Sequence, residues 1–322
     1  MKQINILKCR VKKSPFTLIH LLTSKCNCKC EICNLWKNKE DYKEDLSTKE
    51  IFSLLEDARK AGIVNYVAMG GEPLMRQDLP EILKYAKKLK FCTIVITNGF
   101  YLKERCHEIL PFTDVLEISI DSNDDLHDKM RKVNGILKRS IQGIKTCKNS
   151  KTKIIINSVI SKANYDKIYD LLELSKNLDV FISFQPIDIV EGYNDSLIPK
   201  DKVIQRVFSE IINFKKLGYK VSNSFSYLKV FSNKKNYICH GPKCLVVVKP
   251  NGDITSCLNY KFYDKIWGNV KEKSLTDVFS SGSFRKFCKK VEICNECNDA
   301  CVIESSYAYS LNTRFLIEKI IR

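Results

Sequence analysis

The sequence predicts an α/β fold: a partial (β/α)6 barrel of the TIM-like kind, followed by a small cysteine-rich α+β extension. Three observations predict it. From Phe16 to about Pro186, short β-rich runs alternate with amphipathic helical patterns, the signature of βα repeats around a parallel sheet. Polar residues recur where those runs end, and in parallel α/β barrels that rim is where chemistry gathers. After Cys239 the cysteines crowd together, which is not a core composition.

Strands are expected at Phe16–Leu22, Val64–Met69, Phe91–Thr97, Val115–Ile120, Lys153–Val159 and Val180–Gln185, and helical segments at Ile51–Ala61, Leu79–Leu89, Ile136–Cys147 and Tyr165–Leu178. Ser47-Thr48-Lys49-Glu50 has the pattern of a capping box, in which Ser47 and Glu50 satisfy orphan amides at a helix start. Six such units are too few for a closed eight-stranded barrel, so the sheet curls without closing and its open side needs a cover. The C-terminal part is the obvious one. Another helix is expected from about Lys202 to Leu217, with Gly218 as its stop. The pattern changes between about 220 and 238, dividing the chain into a core over 1–225 and an extension over 226–322.

With 44% hydrophobic residues among 322, the chain can bury a large core. Apolar runs such as Val246-Val247-Val248 fall far short of the roughly 20 residues that cross a bilayer, so no membrane association is expected. The basic start MKQINILKCRVKK leads into no apolar block of signal-peptide length. A cytoplasmic location is therefore expected, where thiols stay reduced and 15 cysteines point to metal binding or catalysis over disulfides. The formal charge of +17 suits an acidic partner. The lysines, however, are spread in mixed-sign runs such as KNKEDYKED, the pattern of a solvated surface, which disfavours nucleic acid as a partner.

Cys26, Cys30 and Cys33 stand in CNCKCEICNLW directly after the first strand, separated by three and then two residues. Three thiolates from one loop can hold three irons of a [4Fe-4S] cube and leave the fourth open. Zinc is the alternative, with Cys28 as a fourth sulfur, although a Cys-x-Cys-x-Cys run makes an awkward tetrahedral cage. Cys28 otherwise has the character of a spare thiol.

In the spacing and place of these cysteines the sequence resembles the radical S-adenosylmethionine superfamily. The resemblance implies that S-adenosyl-L-methionine chelates the open iron through its amino and carboxylate groups. It also implies that the reduced cluster splits the sulfonium to methionine and a 5′-deoxyadenosyl radical, which abstracts a substrate hydrogen, and that a reductant such as flavodoxin or ferredoxin feeds the cluster. Ile32 departs from the family, which often has an aromatic residue there.

The strand ending at Met69 runs into Gly70-Gly71-Glu72-Pro73, the next ends at Thr97-Asn98-Gly99, the next at Ser119-Ile120-Asp121, and the fifth carries Asn157 and Ser158. Two glycines let the backbone approach a ligand, and Glu72 with exposed carbonyls can accept from an ammonium. Gly70, Gly71, Glu72 and Pro73 resemble the superfamily motif that holds the methionyl amino group. By the same resemblance Ser119, Asp121 and Asn157 contact the ribose and amino-acid portions. Arg131 would then pair with the cofactor carboxylate, as a guanidinium fork suits. The plainer readings are an ordinary turn at Gly-Gly, a turn cap at Asp121 and a surface charge at Arg131.

In the C-terminal region KCLVVVKPNGDITSC has the pattern of a β-hairpin turning at Asn251-Gly252, with Cys244 and Cys257 at the ends of its strands. Trp267-Gly268-Asn269-Val270 and a helix through Leu275–Phe279 lead on to Cys294 and Cys297. This order resembles the SPASM and shorter twitch extensions of radical enzymes, which bind auxiliary [4Fe-4S] clusters, and the short length matches the one-cluster form. The resemblance implies Cys244, Cys257, Cys294 and Cys297 as ligands of a second [4Fe-4S] cluster, with Cys239 or Cys301 as replacements. A ribbon-type zinc site is the alternative. Cys9, Cys92, Cys106, Cys147 and Cys288 have the character of buried thiols.

The function expected is that of a radical enzyme, an oxidoreductase or peptide-modifying catalyst acting on a peptide or protein in the manner of a RiPP maturase. Oxidation, epimerisation and carbon–sulfur bond formation are all open. A small molecule such as an aminosugar or nucleotide is the alternative substrate, and a non-redox zinc- and nucleic-acid-binding protein is the alternative class. No catalytic residue is defined; Cys239, Tyr260 and Glu72 are the candidates for proton or hydrogen transfer.

Overall fold

Strands β1 (Thr17–Leu21), β2 (Asn65–Met69), β3 (Cys92–Thr97), β4 (Val115–Ser119), β5 (Lys153–Ile160) and β6 (Phe181–Pro186) lie side by side and parallel. The computed structural model describes residues 14–33, 35, 36, 44–188, 193–257, 264–312, 315 and 318; Cys9 and Tyr260 lie outside them. Each expected strand is present with its ends moved by a residue or so, because β-branched, apolar runs bounded by Gly, Asp and Lys leave little choice of register.

The sheet continues past β1. Strand β7 (Leu245–Val248) pairs parallel with β1, from Thr17 opposite Leu245 to His20 opposite Val248, and β8 (Ile254–Thr255) returns antiparallel along β7. The expected hairpin therefore extends one edge of the sheet and does not lie across its opening. At the other edge Ile182 of β6 bridges Val221. A cover comes instead from the chain near 298–300: Asn298 donates through N to Asp188 Oδ1 (3.0 Å) and through Nδ2 to Ile187 O (2.8 Å), both just beyond β6.

Burial shows where the sheet is open. Strands β1 and β7 are buried on both faces, whereas β3, β4 and β6 alternate. Val95, Leu116, Ile118, Ile156 and Phe184 are fully buried beneath the helices, while Ile96, Glu117, Ser119, Asn157 and Gln185 on the other face are half-buried. By the two-residue period of a strand these last side chains share the concave face.

The capping box is present: Ser47 N donates to Glu50 Oε2 (2.7 Å) and Glu50 N to Ser47 Oγ (3.4 Å), starting helix Thr48–Lys60. Helices Leu79–Lys88, Ile136–Cys147, Ile168–Leu178 and Asp201–Lys216 occupy the expected segments. Gly218, at φ +95°, turns the chain away after the last of them. Helices Leu102–Ile109, Asp125–Arg131, Phe225–Ser232, Gly282–Lys290 and Ala300–Tyr309 were not legible as periodic patterns. The second is short and charged, and the last mixes Ser and Ala into its buried face. Among the described residues no helix is long and apolar enough to cross a membrane.

The β6 edge is closed by a buried lysine. Lys215 Nζ donates to the carbonyls of Val221 (3.1 Å) and Asn223 and pairs with Glu318 Oε1 at 2.8 Å, its side chain 0% exposed. Replacing Lys215 by Ala strands two carbonyls and a carboxylate, and should cost about 3–5 kcal/mol. Urea unfolding should show a lower midpoint with an unchanged slope; a midpoint within experimental error of the parent's would refute this role.

Candidate functional site

Strand β1 delivers the cysteine loop to the rim, and the loop after β2 seats it. Gly71 N donates to Thr23 O (2.7 Å) and Glu72 N to Lys25 O (2.9 Å). The two backbones are so close that a Cβ on Gly71 would stand 2.2 Å from Lys25 O, and one on Gly70, already at φ +128°, 2.8 Å from Thr23 O. These glycines are required by the approach of one loop to the other. Pro73 opens the short turn Pro73–Met75 that follows.

Glu72 is fully buried. Its Oε1 accepts from Leu74 N (3.0 Å) and Thr97 Oγ1 (2.6 Å), and its Oε2 from Asn98 N (2.8 Å). Burial pushes its carboxyl up while Thr97 and the two amides pull it back. Both oxygens thus face protein donors, and backbone carbonyls are left as the rim's acceptors for an ammonium. Asn98, fixed by Glu72, turns its own amide to the cysteine loop: Nδ2 lies 2.8 Å from Asn27 Oδ1, 3.2 Å from Cys28 Sγ and 3.9 Å from Cys26 Sγ.

The loop is held from its other side by helix Asp125–Arg131, whose last carbonyls accept from Lys29 N (3.3 Å, Arg131 O) and Glu31 N (3.2 Å, Met130 O). Ile136, Phe100, Val133 and Ile32 form an apolar wall around Cys26, Cys28, Cys30 and Cys33. The thiols in this pocket differ. Hydrogen bonding from Cys28 holds Cys26 below the usual thiol range. Cys30 is brought down to about 6 by the same partner against the effect of burial, with Arg131 assisting. Burial pushes Cys33 up to about 11. Among the described residues no group of three or more Cys, His, Asp or Glu is gathered tightly enough for a single metal ion.

Asp121 and Arg131 are bound to each other. Arg131 Nε and Nη2 lie 2.8 and 2.6 Å from Asp121 Oδ2, and Nη1 reaches Cys30 Sγ at 3.8 Å. Asp121 also accepts Val159 N at Oδ1 (3.1 Å) and Asn164 Nδ2 at its carbonyl (2.8 Å), and donates its amide to His127 Nδ1 (3.1 Å). Asp121 is thus a hub joining β4, β5 and the helix that supports the cysteine loop. His127, Asn164 and Asn98 complete this frame, and only Asn98 carried a signal, its place at a strand end. Ser119 and Asn157 are register partners on β4 and β5 facing the concave side, and Asn157 Oδ1 is buried with no hydrogen-bond partner.

The C-terminal thiols fall into two groups. The Tyr237 phenol is raised by burial and then by the charges of Cys297, Cys239 and Cys294, and Cys257 acts on Cys297 in the same way. Tyr237 Oη donates to Cys297 O (3.2 Å). Cys244 is elsewhere: fully buried with Phe16, Ala308 and Phe315, its thiol donates to Ser305 O (3.4 Å). Cys301 is exposed beside Asp299, near Glu117 and Glu304. Cys106, Cys147 and Cys288 are buried as expected. Cys92 is exposed, because strand alternation puts it on the open face of β3.

The parallel sheet carries Cys26, Cys30 and Cys33 on the loop after β1, and further cysteines follow residue 238. Residues 21–181 match the Radical SAM superfamily, and the chain belongs to that superfamily of enzymes, which use S-adenosyl-L-methionine and a [4Fe-4S] cluster. Residues 239–299 match SPASM, an iron-sulfur cluster-binding domain. The chain is 28% identical over 177 residues to the Fe-coproporphyrin III synthase of Methanosarcina barkeri, a match covering 53% of this chain and 44% of that protein. It is 25% identical over 310 residues to the AdoMet-dependent heme synthase of the same organism, covering 88% of each. The fold is that of Streptococcus suis SuiB bound to S-adenosylmethionine, with a TM-score of 0.73 at 20% identity over 93% of this chain and 76% of that one; SuiB has also been solved bound to precursor peptide SuiA.

Because a methyl on Gly71 would overlap the backbone of Lys25, Gly71→Ala should displace the cysteine loop and lose roughly half of the iron a two-cluster chain binds on anaerobic reconstitution. Gly282→Ala, where a Cβ meets nothing within 4 Å, is the control. Equal iron content in both variants would show that the seating is dispensable.

Proposed function

We propose that this chain is a peptide-modifying radical SAM enzyme. Cys26, Cys30 and Cys33 hold its catalytic cluster, and Cys239, Cys257, Cys294 and Cys297 its auxiliary one. Cys239 stands in this set where Cys244 was expected, because the Cys244 thiol is turned to Ser305 while Cys239 shares the surroundings of Tyr237 with Cys294 and Cys297. The division near residue 225 then separates the barrel from the auxiliary site by role, although β7 belongs to the barrel's own sheet.

The donors fit the groups. Three thiols stand on one loop within an apolar wall, and the orphan Asn157 Oδ1 awaits a donor such as a ribose hydroxyl. When bound, the cluster and S-adenosyl-L-methionine supply one-electron cleavage of the sulfonium and the hydrogen-abstracting radical. The chain's part is positional: Glu72 and Asn98 orient the loop, Arg131 places positive charge beside Cys30, and Phe100, Val133 and Ile136 exclude water.

The observation that favours a peptide over a tetrapyrrole is the charge of the concave face. Burial and the nearby Asp299 push the Glu117 carboxyl up to about 7, with Lys153 pulling it back. Burial and Asp299 also push Asp188 up to about 7, against the Asn298 amide. Near neutrality such groups both donate and accept hydrogen bonds, which suits backbone amides or a cationic side chain and repels a polycarboxylate. Beside this face a cleft of about 290 Å³ between Pro186, Ile198, Ile204, Val230 and Phe231, edged by the Asp201–Lys234 pair, offers room for an apolar side chain.

Replacing Cys26, Cys30 and Cys33 together by Ala should abolish 5′-deoxyadenosine formation and leave about four irons of about eight. Cys239→Ala should lower auxiliary iron while Cys244→Ala retains it. Anaerobic iron and zinc analysis checks both; zinc in the second site, or loss of iron only from Cys244→Ala, would contradict the assignment.

Glu117 and Asp188 are neutral below about 7 and anionic above it. A lysine-containing peptide should therefore bind more tightly as the pH rises through that value, and Glu117→Gln should flatten the rise. Isothermal titration between pH 6 and pH 8 tests this; affinity that falls with rising pH would remove the argument for a cationic or amide-rich substrate.

A further inference from the structure

Helix Gly282–Lys290 runs on through the turn Val291–Ile293 and carries two stripes at helical spacing. Phe284, Phe287, Cys288 and Val291 are buried. Lys286, Lys289, Lys290 and Ile293, at the same i, i+3, i+4, i+7 spacing, form the opposite, exposed stripe. Ile293 is 86% exposed and Ile238 58%. The two are neighbours: Cys239 N donates to Glu292 O (3.3 Å), which sets the Ile238–Cys239 peptide against the one joining Glu292 to Ile293. Glu292, the only acid between residues 286 and 293, is paired with Lys243, while Lys286, Lys289 and Lys290 make no ion pair among the described residues. An apolar centre with a cationic rim is the pattern of a contact surface for another protein.

We propose that this face is where an acidic one-electron carrier protein docks and exchanges electrons with the auxiliary cluster. Its place commits it to that partner. Cys239 and Cys294, both assigned to the cluster, directly follow Ile238 and Ile293 in the chain, so a protein seated on the isoleucines stands one residue from the site. Charge sets the partner's sign, since unpaired lysines steer an acidic surface towards them and repel a basic one. A small apolar centre also suits the limited, short-lived interfaces of electron-transfer partners. In the exchange the reduced cluster loses one electron and the oxidised carrier gains it; no bond is made or broken. This inference rests on the assignment of the auxiliary cluster to cysteines after residue 238.

The test is anaerobic isothermal titration of the reconstituted full-length protein with two probes, an acidic flavodoxin and an acidic ferredoxin. At least one should bind, and its affinity should fall as salt rises from about 0.05 M to about 0.5 M. K286E, K289E and K290E together should weaken binding at least about tenfold, and Ile293→Asp should weaken it too, both with the parent's iron content. The control, K145E with K148E and K151E, makes the same change of net charge on lysines exposed elsewhere and should bind like the parent. In stopped flow the reduced second cluster should pass its electron to the oxidised carrier, and more slowly in the variant with Lys286, Lys289 and Lys290 reversed. Failure of both probes to bind, equal weakening in the control, or self-association of the parent that Ile293→Asp abolishes overturns the proposal and leaves the cluster assignment standing. Zinc, or no metal, at the second site takes down that assignment, and this inference with it.

Discussion

The structure depends on the contact between the loop after β2 and the cysteine loop after β1. Two amides, of Gly71 and Glu72, reach the carbonyls of Thr23 and Lys25, and the absence of side chains at 70 and 71 permits it. Glu72 then spends its carboxylate on Thr97 and Asn98 at the end of β3. Three neighbouring strand ends are thereby locked into one rim, and the thiols inherit their directions from it. A buried carboxylate with three donors is strongly oriented, so it serves as a strut more readily than as a contact to a mobile ligand.

The same economy holds on the far side of the loop. Arg131 and Asp121 satisfy each other, Asp121 fastens β4 to β5, and the helix ending at Arg131 presents its last carbonyls to Lys29 and Glu31. Helix C-terminal carbonyls need partners, and here the partners are the backbone of the cysteine loop. The positive charge brought so close to Cys30 favours a thiolate where one is needed. The open side of the sheet is bounded by Asn298 and Ala300, tied to Asp188 and Gln185, so the segment that follows Cys297 is also a wall of the space the barrel encloses.

Much of this was legible in the sequence. The strands, most core helices and the hairpin follow from period and composition. What escaped was set by three-dimensional packing. That Glu72 points inward, that Arg131 is paired with Asp121, and that Gly71 serves a neighbouring backbone depend on how strand ends meet, which no local pattern encodes. Cys244 and Cys257 stand on either side of the hairpin turn in sequence, yet the sulfur of Cys244 is drawn into an apolar cluster with Phe16 and Phe315. His127 and Asn164 had no signal at all, since a buried hydrogen-bond frame is built from common residues in unremarkable places.

We propose two separate iron–sulfur sites, one on the β1 loop and one among the cysteines after residue 238. Anomalous diffraction at the iron edge from anaerobic crystals of the reconstituted protein tests it most directly. Two peaks are expected, the first bounded by Cys26, Cys30 and Cys33 with one iron lacking a cysteine, the second by Cys239, Cys257, Cys294 and Cys297. A single iron peak, a zinc-edge signal at the second site, or a second cluster held by Cys244 would contradict it.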